Sequence, residues 1–261
     1  MNKLPFVWEL DNKGVISHAI GTHHYCPFDF TEQVKPFVNG KNAVITETGI
    51  ADFAEARKRV SDIAAKTYTD RLSPKHQQKI SRMLAPITLE MLRELPLVNI
   101  YGLFGQKSVP DTQIKFGIDA TIERFAQTAN VPIHSIETFD EGVGYCRYIV
   151  TRFGEQLGEW LEWEDEQFSH GKRTAKLMVE AYLSGDEKRM RTTPSTLGQT
   201  LDQYLKKNPE LGTMRHKPIA ERTIPYLTSP ALVGVGVAHF ITELSVLDFY
   251  KEKGITVKRI Q

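Results

Sequence analysis

The C-terminal stretch is the strongest constraint on how this chain can fold. Ala231 to Gly236 is an apolar run of strand length, Ile241 to Lys253 has helical spacing, and Gly254 stands where a helix C-terminus is commonly capped. Ile255 to Ile260 then reads as a second strand. A strand, a helix and a strand in so short a span form a βαβ-like unit, and such a unit requires an α/β sheet.

The rest of the chain supplies strands sparingly. Phe6 to Leu10 and Gly14 to Ile20 flank Asp11-Asn12-Lys13-Gly14 and predict a β-hairpin. Ala43 to Thr46 is a short run suited to a buried strand, and it ends at Glu47. Ile133 to Ile136 follows Asn130-Val131-Pro132 and ends at Glu137. Elsewhere the period is helical: Thr31 to Val38 with Thr31 as N-cap, most of 50–108 with Ser73-Pro74 opening one helix, Asp111 to Ala129, and Thr213 to Leu227. A second helical block runs over 139–207, broken near Gly171, Gly185 and Thr192-Thr193-Pro194. The expected architecture is one α/β domain over 1–261, a central mixed β-sheet with large helical insertions at about 50–110 and 139–207.

Composition excludes several functions. Lys+Arg (33) balances Asp+Glu (32) to a net charge of +1, so no bulk field draws nucleic acid or an anionic membrane. Two cysteines, Cys26 and Cys146, are too few for a disulfide framework or an all-cysteine zinc site. The first residues break their apolar run too early for a secretory leader, and Ala231 to Ile241 is too short to span a bilayer. The expectation is a cytoplasmic protein acting on a peptide or small molecule.

Four strand-like runs end in a residue able to do chemistry: His24 after Gly21-Thr22-His23, Glu47, Glu137, and His239 after Gly236-Val237-Ala238. Open α/β sheets bind ligands outside the carboxyl ends of their strands, so parallel strands would gather these four side chains in one cleft. Two imidazoles and a carboxylate are a common ligand set for a catalytic divalent ion. In each Gly-x-x-His, the glycine would let the chain turn sharply off the strand end. A second carboxylate would serve as general base or orient a ligand histidine. The same residues also have plainer uses: hydrogen-bonded structural histidines, and glutamates that stabilise the next helix N-terminus. Strand alternation sends His23 away from the side His24 faces. Cys26, two residues past His24, could pair with a histidine as nucleophile or be a buried thiol. His18, His76, His134, His170 and His216 are expected outside the ligand set.

These motifs resemble a known family. Pro5-Phe6-Val7-Trp8-Glu9 and Ser17 to His24 resemble the opening strand and Gly-Thr-x-His motif of the TraB/GumN/Tiki family. Ala43 to Glu47, Gly117-Ile118-Asp119, Pro132 to Glu137, and Pro230 to His239 followed by Leu244 to Val257 resemble its later strands, central helix and closing segment. The resemblance implies a fold like that of the erythromycin-esterase and ChaN-like proteins. Within that group, Tiki-type members are similar to divalent-metal-dependent proteases, and TraB-type members are linked to limiting peptide pheromone activity. ChaN-like relatives bind haem, and the esterases need no metal.

Carried over by position, the resemblance implies a site of His24, Glu47 and His239, with Gly21 and Gly236 shaping it and Arg215 beside it. The family often has asparagine after that arginine, where this chain has His216, and position 23 is a histidine where an apolar residue is common. The implied activity is hydrolysis of a peptide or amide bond by an ion (Mn, Co or Zn) held by His24, His239 and Glu47. Glu137 would be the second carboxylate, and Arg215 would hold substrate or a developing oxyanion. The alternatives are a metal-free esterase-like hydrolase and a peptide- or haem-binding protein without turnover. The expected partners are a peptide or small-molecule substrate and a second copy of the chain in a homodimer.

Overall fold

Six strands form one mixed sheet: β1 (Val7–Asn12), β2 (Val15–Thr22), β3 (Ala43–Thr46), β4 (Ile133–Ser135), β5 (Ala231–Gly236) and β6 (Thr256–Arg259). Their order across the sheet is β4-β3-β5-β2-β1-β6. The pairs β4–β3, β3–β5 and β5–β2 are parallel, while β1 runs antiparallel to both β2 and β6. The computed structural model describes residues 4–23, 28–47, 50–108, 117–162, 176–194, 200–207 and 212–261. His24, Cys26 and His170 lie outside the described residues. The chain divides into two compact units, one of Met1–Gly49, Thr112–Glu137 and Lys176–Gln261, the other of Ile50–Asp111 and Thr138–Ala175.

The first unit holds the sheet. The hairpin turns through Lys13 (φ 56°) and Gly14 (φ 89°), two left-handed residues in a two-residue loop, the pairing that matches strand twist. The Gly14 amide donates to Asp11 Oδ1 at 2.6 Å, which locks the turn. β3 is buried throughout and β5 through Val235, as continuous apolar strands covered on both faces must be. The helix Ile118–Thr128 buries Ile118, Ile122 and Ala126. It lies so close to β5 that a Cβ on Gly234 would sit 2.9 Å from Ile122 Cδ1.

The closing strand–helix–strand unit has parallel strands as expected, while the Thr31 cap and two helix extents are corrected. β5 and β6 run the same way but are not neighbours: β2 and β1 lie between them, so the closing strand–helix–strand segment crosses two strands. Thr31 is not the cap of Thr31–Val38. Phe30 holds that position without a side-chain bond, and Asp29 Oδ1 accepts from the Thr31 amide at 2.9 Å and hydroxyl at 2.6 Å.

The expected single helices 213–227 and 241–253 are each broken. The first becomes a π turn Gly212–His216, an α-helix Lys217–Thr223 and a 3₁₀ turn Ile224–Thr228, with Pro218 and Pro225 removing amide donors. The second becomes Ala238–Ile241 and Val246–Glu252, the latter opened by a capping box in which Ser245 and Asp248 exchange bonds. Gly254 (φ 80°) ends that helix as expected, with the Ile255 amide reaching back to the Tyr250 carbonyl at 3.0 Å.

The second unit is helical and has its own core of Val60, Leu72, Ile80, Leu92, Leu97, Val150, Phe153 and Leu157. Ser73 caps its helix by accepting from the His76 amide, with Pro74 in the first turn, as the sequence predicts. Cys146 lies in this core as a free thiol, and burial pushes its pKa up. No helix of the described residues is long and apolar enough to cross a membrane.

Candidate active site

The four parallel strands β4, β3, β5 and β2 are contiguous, so their carboxyl ends share one edge of the sheet. Glu137 follows β4, Glu47 follows β3, His239 follows β5, and His23 follows β2. Backbone bonds carry the ladders past the strand ends into the site. The Glu137 amide donates to the Glu47 carbonyl at 3.0 Å, and the Val237 amide to the Thr22 carbonyl at 2.9 Å.

Glu47 is the hub. Its Oε1 accepts from Arg215 Nη2 at 2.5 Å and lies 3.1 Å from His239 Nε2, and its Oε2 accepts from the Gly236 amide at 3.2 Å. Arg215 Nη2 also donates to Glu137 Oε1 at 2.9 Å. The side chains of Glu47, Glu137 and His239 are 13%, 14% and 14% exposed, so these are charge-assisted bonds with limited solvent screening. Among the described residues, two carboxylates share one guanidinium. The π turn Gly212–His216 delivers the arginine, and such turns recur at functional sites.

The bond to Glu47 sets the His239 tautomer. An ionised carboxylate only accepts, so Nε2 carries the proton and donates. The other ring nitrogen, Nδ1, is buried without a hydrogen-bond partner among the described residues. His216 was expected outside the ligand set, and it lies beside this ring: the two imidazoles stand at 86° with centroids 5.0 Å apart. Its Nδ1 donates to the Leu244 carbonyl at 2.9 Å. Burial, then the neighbouring His239, pushes the His216 pKa down to about 4, against a partial upward pull from the Leu244 bond.

The sheet end is braced from below. Thr46 Oγ1 donates to the buried Glu123 at 2.9 Å, and Thr22 Oγ1 donates to Asp119, one helical turn earlier on Ile118–Thr128. Tyr182 donates its buried hydroxyl to the Gly21 carbonyl at 2.6 Å, and its ring lies 5.3 Å from that of His23.

Neither glycine has a left-handed backbone. Gly21 instead admits a close approach: a Cβ there would lie 2.9 Å from Val237 Cγ2 and 3.1 Å from Phe6 Cβ. At Gly236 it would meet Glu47 Oε2 at 3.5 Å and His239 Cδ2 at 3.6 Å, ordinary contact on the floor of the site.

Other described histidines have partners of their own. His18 Nδ1 lies 3.0 Å from Lys41 Nζ, His76 pairs with Glu162 at 2.7 Å, and His134 stacks on Tyr226. Sequence reasoning singled out Asp119 within Gly117-Ile118-Asp119 but missed Glu123 and the bracing role of the two, whose spacing of four on one helix was the available signal.

Among the described residues, no group of three or more His, Cys, Asp or Glu side chains is arranged to hold a metal ion. Two donors of the expected set do adjoin. Ligands at about 2.1 Å from one ion lie about 3.0–3.4 Å apart, and Glu47 Oε1 and His239 Nε2 are 3.1 Å apart. That spacing is compatible with two ligands of one ion, and His24, the third residue of the expected set, lies outside the described residues. The model of the TraB/PrgY/gumN family matches residues 6–259. No curated protein and no solved structure matches the chain.

Proposed function

The chain belongs to the TraB/PrgY/gumN family, and from that premise we propose that it is a hydrolase of peptide or amide bonds. Its working residues are Glu47, His239, Arg215 and Glu137, completed by His24. The observation that carries this reading is the contact of His239 Nε2 with Glu47 Oε1, 3.1 Å, at the carboxyl edge of the sheet, with Arg215 on the same oxygen.

In this reading His24, His239 and Glu47 hold a divalent ion (Mn, Co or Zn), which when bound supplies an activated water and a polarised scissile carbonyl. His239 must then present a bare Nε2, so its ring proton moves from Nε2 to Nδ1 on loading. The Gly236 amide holds the plane of the Glu47 carboxylate. Glu137 and Glu47 together fix the Arg215 guanidinium, whose planar fork suits a substrate carboxylate or a developing oxyanion.

One observation favours a second reading. The Glu47–His239 bond is also the geometry of a carboxylate that orients a general-base histidine without a metal. That base would have to work through Nδ1, which is buried, so a substrate proton reaches it only after the ring moves. The ion reading uses Nε2, which already faces the carboxylate cluster.

Turnover on peptide and ester libraries, before and after exhaustive chelation, tests the proposal. Peptide hydrolysis lost on chelation, restored by added ion, and about 10²–10⁴-fold weaker in His239→Ala supports it. Undiminished activity in verified metal-free protein supports the esterase-like reading. Saturable peptide or haem binding with no turnover on either library contradicts both.

A further inference from the structure

A histidine that works at a site is usually aimed by a hydrogen bond to its second ring nitrogen. His239 lacks that device among the described residues, since its Nδ1 is buried with no polar partner. The ring nevertheless presents Nε2 to Glu47 at 3.1 Å. Among the described residues that bond is the one polar hold on the ring, so a ring packed against it adds to its alignment.

His216 is placed to do so. It is 4% exposed, and its ring stands edge-to-face on His239, 5.0 Å between centroids at 86°. Its own orientation is fixed from outside the site. A carbonyl can only accept, so the 2.9 Å contact with Leu244 puts the His216 proton on Nδ1. Leu244 holds a left-handed backbone (φ 51°), a conformation that leucine rarely adopts and that costs energy to maintain. Strain of this kind persists only where the surroundings over-determine it, and here it falls on the residue whose carbonyl binds His216.

We infer that His216 is a positioning residue: anchored in one tautomer by the Leu244 carbonyl, its ring holds the His239 imidazole with Nε2 toward Glu47. The inference rests on the reading of Glu47 and His239 as the working pair of the site. It concerns how this chain keeps that pair aligned where relatives often carry asparagine.

The test is ring-nitrogen NMR on chelator-treated protein at neutral pH, correlating each histidine's ring carbons' protons with its nitrogens. In the wild type, His216 should be the Nδ1–H tautomer and His239 the Nε2–H tautomer. In His216→Ala, both His239 nitrogens should shift toward the average of their protonated and bare values. His216→Phe keeps a ring against His239 and should restore the single tautomer, a rescue that a general packing defect would not show. A wild-type His216 protonated on Nε2 overturns the inference without any variant being needed. An unchanged single His239 tautomer in folded His216→Ala also overturns it. Neither metal nor substrate enters the measurement, so its failure is separate from failure of the hydrolase reading.

Discussion

Glu47→Gln perturbs the site where its bonds converge, and the structure sets the size of the effect. Donors that meet this side chain include Arg215 Nη2 and His239 Nε2 on Oε1, and the Gly236 amide on Oε2. Glutamine offers one oxygen and one amide nitrogen of nearly the same shape. If the oxygen takes the Oε1 position, the amide nitrogen faces the Gly236 N–H, donor against donor. If it takes the Oε2 position, Arg215 and His239 meet the amide instead. Either way at least one poorly solvated donor loses its acceptor, which costs about 1–3 kcal/mol. Loss of one charge from the cluster adds to this, moderated because Arg215 keeps Glu137.

The sum is about 2–4 kcal/mol, or a fall in thermal midpoint of roughly 4–16 °C for a chain of this size. The protein still folds at 25 °C, so a rate loss of about 10²–10⁴-fold there reports chemistry rather than unfolding. The assay is turnover at 25 °C and the thermal midpoint on one sample. An unchanged midpoint refutes the bonding described around Glu47. A lowered midpoint with unchanged turnover keeps the bonding and removes Glu47 from the chemistry.

His216 makes stability depend on pH. Its folded pKa of about 4 lies below the unfolded value of 6.5, so between these the unfolded chain binds the extra proton. Stability from this group is full above about pH 6.5 and falls by about 3 kcal/mol as pH drops toward 4. Metal-free wild type should lose thermal midpoint across that window, and His216→Phe should lose less; parallel slopes contradict the burial account. Tyr182→Phe removes the buried donor from the Gly21 carbonyl and should cost about 1–3 kcal/mol in denaturant unfolding. The glycines should separate by thermal midpoint. Gly21→Ala forces contacts of 2.9–3.1 Å and costs about 1–3 kcal/mol, whereas Gly236→Ala meets ordinary contacts and stays near wild type. Equal effects at the two glycines contradict the packing described.

What the sequence showed followed from local physics. Ala43 to Thr46 and Ala231 to Gly236 were legible as strands because both are continuous apolar runs buried on two faces. Glu47 and His239 were legible as strand-end residues for the same reason, while Glu137 follows a short strand, Ile133–Ser135, that is only partly buried. The place of β6 was not legible, since a strand's neighbours depend on how the crossovers route, and Thr256–Arg259 looks the same beside β5 or beyond β1. The break at Ser245 carried a signal in the spacing Ser245-x-x-Asp248, which the helical period on either side masked. The His216 bond to Leu244 had no such signal, because a main-chain carbonyl partner leaves no mark in the residue pattern. Gly21 was legible as special, but the close approach of Val237 and Phe6 was not, because packing from distant segments leaves no local mark.

The proposed function requires a divalent ion held by His24, His239 and Glu47. Elemental analysis of purified protein, beside a His24→Ala/His239→Ala double variant and Glu47→Gln, tests it most directly. The account predicts a stoichiometric divalent ion in the wild type that is lost in the double variant and depleted in Glu47→Gln, with all three proteins folded. No ion in the wild type after growth and purification with Mn, Co and Zn supplied, or equal ion content in the folded double variant, would contradict it.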